Sequence, residues 1–255
     1  GGPWPGTPRR GGPSAPASFG STTAKSPFNV TGPITGTGKV EVKGGTVTLA
    51  GASTYTGSTT VSSVGRLNLT GSLTSSITMT GASASITGSG STTGGLTTTG
   101  TNAGSIYLDP ANPTQAVSAN AVAFNGATKV DILNQQPIGT TTYTVVKYGT
   151  LTGLANLSCP NLRGVFTDDT VNKKVTLAVT AANRTWNHAV GTTWNLTDAN
   201  WAEGDNKFVN GDAVTFGDAG AGAVSLAGSL TPYSITFTNT AGNDYTLTSS
   251  TNNLI

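Results

Sequence analysis

Residues 66–108 read RLNLTGSLTSSITMTGASASITGSGSTTGGLTTTGTNAGSIYL. Short β-branched runs alternate with glycine: Arg66-Leu67-Asn68-Leu69, Ser76-Ile77-Thr78-Met79, Ser85-Ile86-Thr87 and Ser105-Ile106-Tyr107-Leu108. Within each run the apolar residues fall at i and i+2 with polar residues between, the period of a strand with one buried face. One apolar position per run, taken as Leu67, Ile77, Ile86, Leu96 and Ile106, recurs at or next to every tenth position. Strands so short at so regular a spacing predict a solenoid, because each is too short to be stable alone and must stack on the turn before it. The runs upstream, Lys39-Val40-Glu41-Val42 and Thr46-Val47-Thr48-Leu49, extend the pattern, and Leu49 stands two such steps before Leu69. A β-sandwich also carries closely spaced turn signals, but its core asks for more large aromatics than the 7% present.

The composition agrees. Thr, Ser and Gly supply 105 of the 255 residues, which excludes a helical bundle or a Rossmann enzyme, since these are poor helix formers. Glycine does not recur at every third position, which excludes collagen. No apolar run approaches the roughly 18–20 residues that span a bilayer as a helix. Only 9% of residues are charged and the net charge is +2, with no basic stripe interleaved with aromatics, so no nucleic-acid partner is expected. Cys159 is the single cysteine and His188 the single histidine. Neither an intrachain disulfide nor a Cys- or His-based metal site can be built from them.

Residues 44–71, GGTVTLAGASTYTGSTTVSSVGRLNLTG, resemble the autotransporter-associated β-strand repeat, also called the passenger-associated transport repeat. Leu49, Tyr55, Gly57, Val61 and Leu67 fall on its pattern together with Thr46-Val47-Thr48, Gly51 and Gly65, while Ser53 stands where Asn is usual. The resemblance covers about a ninth of the chain. It implies a right-handed parallel β-helix in a large secreted or surface-displayed bacterial protein, and it does not imply a catalytic activity. The fold expected is therefore all-β: a right-handed parallel β-helix (β-solenoid) followed by a further β-rich module. The structural repeat residues are Leu49, Tyr55, Gly57, Val61, Leu67, Leu69, Ile77, Ile86, Leu96 and Ile106.

Four segments are expected. Residues 1–27 hold six of the twelve prolines and read as a Pro/Gly-rich disordered linker that forms no ladder. Residues 28–135 form the solenoid. Residues 136–182 contain longer alternating strands that connect or cap it, with a hairpin tip between Phe166 and Val175. Residues 183–255 carry Trp186, Trp194 and Trp201 in close succession, then Gly211-Asp212-Ala213-Val214-Thr215-Phe216. That arrangement is similar to a unit found beside the same repeats in bacterial surface proteins, and it is expected to begin another solenoid, cut short at residue 255.

Candidates for chemistry are few. Adjacent Asp168 and Asp169 suit a turn better than a paired-carboxylate site. His188 has no Gly-Asp-Ser-Gly partner to complete a serine-protease triad. Asp198, Glu203, Asp205, Asp212 and Asp218 cluster along the chain, but their spacing fits neither an EF-hand nor the nonapeptide calcium repeat, and solvated turn carboxylates are expected. The solenoid offers only Lys39, Lys43, Arg66 and Glu41, too few for a polysaccharide lyase. No enzyme, cofactor or metal is expected. The leading expectation is a rigid extracellular spacer or adhesin segment at the bacterial outer surface, with a surface glycan or self-association through the solenoid ends as partners. The alternative is a carbohydrate-binding module whose sugar-stacking platform is Trp186, Trp194 and Trp201, set against the favoured reading that these rings plug the module's end as core residues, and a polysaccharide lyase ranks third.

Overall fold

A computed structural model describes residues 17–19, 27–133 and 140–249, and among them the chain is nearly all β, with no α-helix. Two long sheets run the length of the first core. One takes Val40–Val42, Thr59–Ser62, Ile77–Thr80, Ser91–Thr99, Ser118–Phe124 and Thr141–Thr152; the other takes Phe28–Val30, Thr46–Leu49, Arg66–Leu69, Ser85–Gly88, Ser105–Leu108, Thr128–Ile132 and Leu157–Ser158. The chain lays strands into the two sheets alternately, and every pairing between these strands is parallel.

This alternation explains the spacing of the apolar runs. Leu67 pairs with Val47 and with Ile86, and Ile86 with Ile106, so partners on one sheet stand two steps apart in sequence. Ile77 pairs with Thr59 and Leu96 on the other sheet. One step is thus half a turn, carrying the chain from one sheet to the other. Leu49, Leu67, Leu69, Ile77, Ile86 and Leu96 are all buried between the sheets, with polar residues at most of the intervening positions. Each such side chain contributes about 1.5–3 kcal/mol on burial, so stability accumulates turn by turn.

The corners of the stack are built by Tyr55 and by glycine. Tyr55 lies inside the stack, and its hydroxyl joins Thr59 Oγ1 at 2.5 Å, which in turn reaches Ser75 Oγ at 2.7 Å. The buried polar groups therefore satisfy one another. At a second corner Gly32, Gly51, Gly71 and Gly90 stack one above the other: a Cβ on Gly51 would lie 2.8 Å from Pro33 N, one on Gly71 2.5 Å from Ala50 O, and one on Gly90 2.8 Å from Leu69 Cγ. No side chain fits at the upper three positions, so the corner requires glycine for close approach rather than for its dihedral freedom.

The first core closes with a change of direction. Thr141–Thr152 is long enough to pair twice: its second half runs parallel to Ser118–Phe124, and its first half runs antiparallel to Lys174–Val179, which pairs antiparallel with Gly164–Asp169. Asp169 holds the tip of that hairpin, accepting from Asn172 N at 3.0 Å and Asn172 Nδ2 at 2.8 Å. The antiparallel pair flanks the first half of Thr141–Thr152, and its register meets the parallel one only at Lys147.

One expectation is corrected at the other end. Ala17–Phe19, inside the proline-rich segment, pairs parallel with Val40–Val42. The reason is local: no proline interrupts residues 17–26, and three backbone residues suffice to extend a ladder that is already formed. The remainder of the linker expectation, residues 1–16 and 20–26, lies outside the described residues, as do 134–139 and 250–255.

From Asn183 a second parallel arrangement begins, with its own core. Asn183–Thr185, Ala213–Phe216 and Ser234–Phe237 form one three-stranded sheet, and Thr193–Trp194, Gly222–Leu226 and Tyr245–Ser249 another. Among the described residues no helix is long and apolar enough to cross a membrane.

Candidate functional site

The three tryptophans are the centre of the second core. Trp186, Trp194 and Trp201 are each 0% exposed, as are Phe208 and Phe216 beside them. Their rings meet edge to face: Trp186 and Trp201 at 5.2 Å and 79°, Trp194 and Trp201 at 5.4 Å and 74°, Trp194 and Phe208 at 5.2 Å and 87°. Such pairs favour the positive ring edge against the negative face. Trp186 Nε1 donates to Gly220 O at 3.1 Å, whereas Nε1 of Trp194 and of Trp201 find no acceptor among the described residues.

This overturns the sugar-platform expectation for Trp186, Trp194 and Trp201. A platform needs a ring face open to water, and here the rings are buried against one another. The physical reason is that a short module with few aliphatic side chains must draw its buried area from its largest rings. Asn200 fixes the loop between them: its Oδ1 accepts from Val190 N and Gly191 N, both at 2.9 Å, and its Nδ2 donates to Thr193 O at 2.8 Å.

The acidic cluster is also not what its composition suggests. Asp212 is buried and sits between two arginines. Arg163 Nε, from the closing loop of the first core, lies 3.3 Å from Asp212 Oδ1, and Arg184 Nε lies 3.4 Å from Oδ2. Asp205 bridges the same pair, 3.1 Å from Arg163 Nη1 and 2.7 Å from Arg184 Nη2. Asp212 further accepts from Ala182 N at 2.9 Å and Val209 N at 3.0 Å. Two carboxylates expected to be solvated turn groups therefore form a four-residue ion network that joins the two cores. The Arg163 hydrogen bond holds the Asp205 carboxyl below its ordinary pKa. The other acids are dispersed: Glu203 accepts from Thr185 N, Asp198 from Asn195, and Asp218 from Thr240. No three His, Cys, Asp or Glu side chains converge as a metal site among the described residues.

Asp168 and Asp169 take separate roles, Asp168 accepting from the Tyr148 hydroxyl and Asp169 tying the hairpin tip. The first of these hydrogen bonds, chiefly, pushes the Tyr148 pKa up to about 12.

A groove of 390 Å³, which the sequence pattern does not announce, lies on the outer face of the first core. Arg66, Asn68, Thr87 and Tyr107 line it from three successive strands, and Asp109 and Gln115 from the loop that follows. The groove exists because the chain takes a longer path after Ile106. Ile106 pairs with Val130 and Leu96 with Val122, each partner several positions further on than in the turns below. The surplus leaves as the 109–117 loop, which is held by Asp109 accepting from Ala111 N and Asn112 Nδ2, each at 2.9 Å. Thr87 shows how deep the groove is, since it lies on the outer face yet is only 7% exposed. The wide gap between the run ending at Leu108 and the next strand, Ser118–Phe124, is the one trace of this loop in the sequence.

A comparison with protein-family models finds no match for this chain, and a comparison with curated proteins finds no similar sequence.

Proposed function

We propose that this chain is a structural, non-enzymatic segment of a large secreted or surface-displayed bacterial protein, a rigid parallel β-helical spacer that holds other regions away from the cell. The observation that carries the reading is the unbroken parallel register from Phe28–Val30 through Leu157–Ser158, seven strands on one sheet. At about 4.8 Å per strand step this sheet alone is roughly 29 Å long. Support also comes from the resemblance of residues 44–71 to the passenger-type repeat. Leu49, Tyr55, Val61 and Leu67 of that stretch all face the interior of the stack, and Gly57 sits where a Cβ would meet Lys39 N at 2.9 Å. An adhesive role belongs to the same proposal, because a stack of this kind presents long, regular faces to a partner.

Small-angle scattering on the 255-residue chain tests it. A rod-like cross-sectional region, with a radius of gyration above the roughly 18 Å of a compact chain of this length, is expected. A compact profile would overturn the spacer.

A further inference from the structure

We infer that the groove beside Tyr107 binds an acidic oligosaccharide, with Arg66 receiving its carboxylate. The guanidinium of Arg66 lies 4.5 Å over the Tyr107 ring, and its Nε donates to Ser85 Oγ at 3.4 Å. Stacking and one hydrogen bond thus fix the side chain. Among the described residues, however, no carboxylate pairs with it, in contrast to Arg163 and Arg184. An arginine held in place with its terminal amino groups unpaired is pre-organised for a planar carboxylate, which it takes through two parallel hydrogen bonds.

The rest of the lining selects a sugar over a simple anion. Asn68 spends one of its two amide hydrogens on Thr48 Oγ1 at 3.3 Å and Thr87 spends its hydroxyl proton on Tyr107 O at 2.9 Å. Each offers the groove an oxygen acceptor, and Asn68 keeps one amide hydrogen as a donor. Asp109, whose two oxygens are already engaged by its own loop, adds a negative charge to the lining. A lining that mixes acceptors with the amide and hydroxyl donors of Asn68, Gln115 and Tyr107 asks for a ligand rich in hydroxyls, which serve as either partner. Asp109 disfavours a second negative charge nearby, so the ligand carries its carboxylate at Arg66 and presents neutral hydroxyls to the rest of the groove. Asn68 and Thr87 stand one strand apart, about 4.8 Å, close to the repeat of one sugar ring along a chain. A glycan in which acidic and neutral sugars alternate meets all of these conditions.

Calorimetry on the full chain tests this with hyaluronan tetrasaccharide and sialyllactose as acidic probes, chitotetraose as the neutral probe and inorganic phosphate as the bare anion. At least one acidic probe should bind about tenfold or more tighter than chitotetraose, a difference worth about 1.4 kcal/mol. Arg66→Gln should weaken that binding about tenfold at an unchanged melting temperature. Gln115→Trp, placed on the exposed lip, should block it without touching the core. Absence of binding by both acidic probes overturns the proposal, as does undiminished binding in Arg66→Gln and Gln115→Trp. Displacement by phosphate at equal concentration also overturns it, because that reduces the site to a point charge. Scattering is indifferent to all of these results, so the spacer reading stands or falls separately.

Discussion

Replacing Gly71 by alanine isolates the energetic cost of the glycine corner. An alanine Cβ there lies 2.5 Å from both C and O of Ala50 and presses on Gly51 O in the turn below. This is roughly 1 Å short of a comfortable contact. The neighbouring backbone cannot yield freely, since Gly71 N donates to Leu49 O at 2.9 Å and Ser72 N to Gly51 O at 3.3 Å. Relief requires the two turns to part locally. Overpacking of this kind costs about 1–3 kcal/mol, and weakening the longer hydrogen bond adds about 1 kcal/mol. The expected loss is therefore about 2–4 kcal/mol, or a fall in melting temperature of about 4–16 °C for a unit of this size. Gly32→Ala is the matched control: it occupies the same column, but nothing lies within 4 Å of the added carbon. The assay is thermal unfolding by far-ultraviolet dichroism, with hydrogen exchange at Gly71 and Ser72. Equal melting of Gly71→Ala and Gly32→Ala would refute the close-packing argument, and so would a Gly71→Ala variant that melts with the parent.

Trp194→Ala should cost about 3–5 kcal/mol and unfold the second core before the first, read as an early loss of tryptophan fluorescence; retention of full stability would contradict its burial. Asp212→Asn leaves Arg163 and Arg184 facing an uncharged amide, and the expected loss is about 3–5 kcal/mol by denaturant titration, with a loss below about 1 kcal/mol counting against the network. Acid should weaken the junction, because Asp205 has its pKa lowered in the folded protein. Its contribution is complete above the unfolded carboxylate value near 4 and is lost as pH falls through the lowered folded value. Tyr148 behaves oppositely: with its folded pKa raised to about 12, its contribution is present below pH 10 and is lost as pH climbs toward 12. A melting temperature that is flat from pH 5 to pH 2 would argue against the Asp205 assignment.

The parallel stack was legible because each run between Arg66 and Leu108 carries its own alternation, and alternation is a local property of the chain. The interval of ten was legible too, although its meaning as a half-turn needed the pairing of Leu67 with Ile86 rather than with Ile77. Features made by distant residues were not legible. Arg163 and Asp212 are separated by 49 positions, and nothing near either announces the other. The tryptophans favour a core over a platform in a module with few aliphatic residues, and their burial agrees, but the edge-to-face packing with Phe208 and Phe216 needed the structure. Likewise Arg66 and Tyr107 stand two strands apart, and only the register of their sheet brings the guanidinium over the ring. Ala17–Phe19 went unrecognised because proline density describes a segment as a whole, while pairing needs only three residues.

The column of Gly32, Gly51, Gly71 and Gly90 also bears on how such a chain can change length during evolution. Each member is separated from the next by one whole turn. A duplication or deletion of that size restores every glycine beneath its successor and every apolar residue to the interior. An odd insertion within a strand would instead turn its buried residues outward. The same close contact that tolerates no side chain therefore lets the protein grow or shrink by whole turns, and it directs smaller insertions to exposed loop positions such as Ala111 and Asn112.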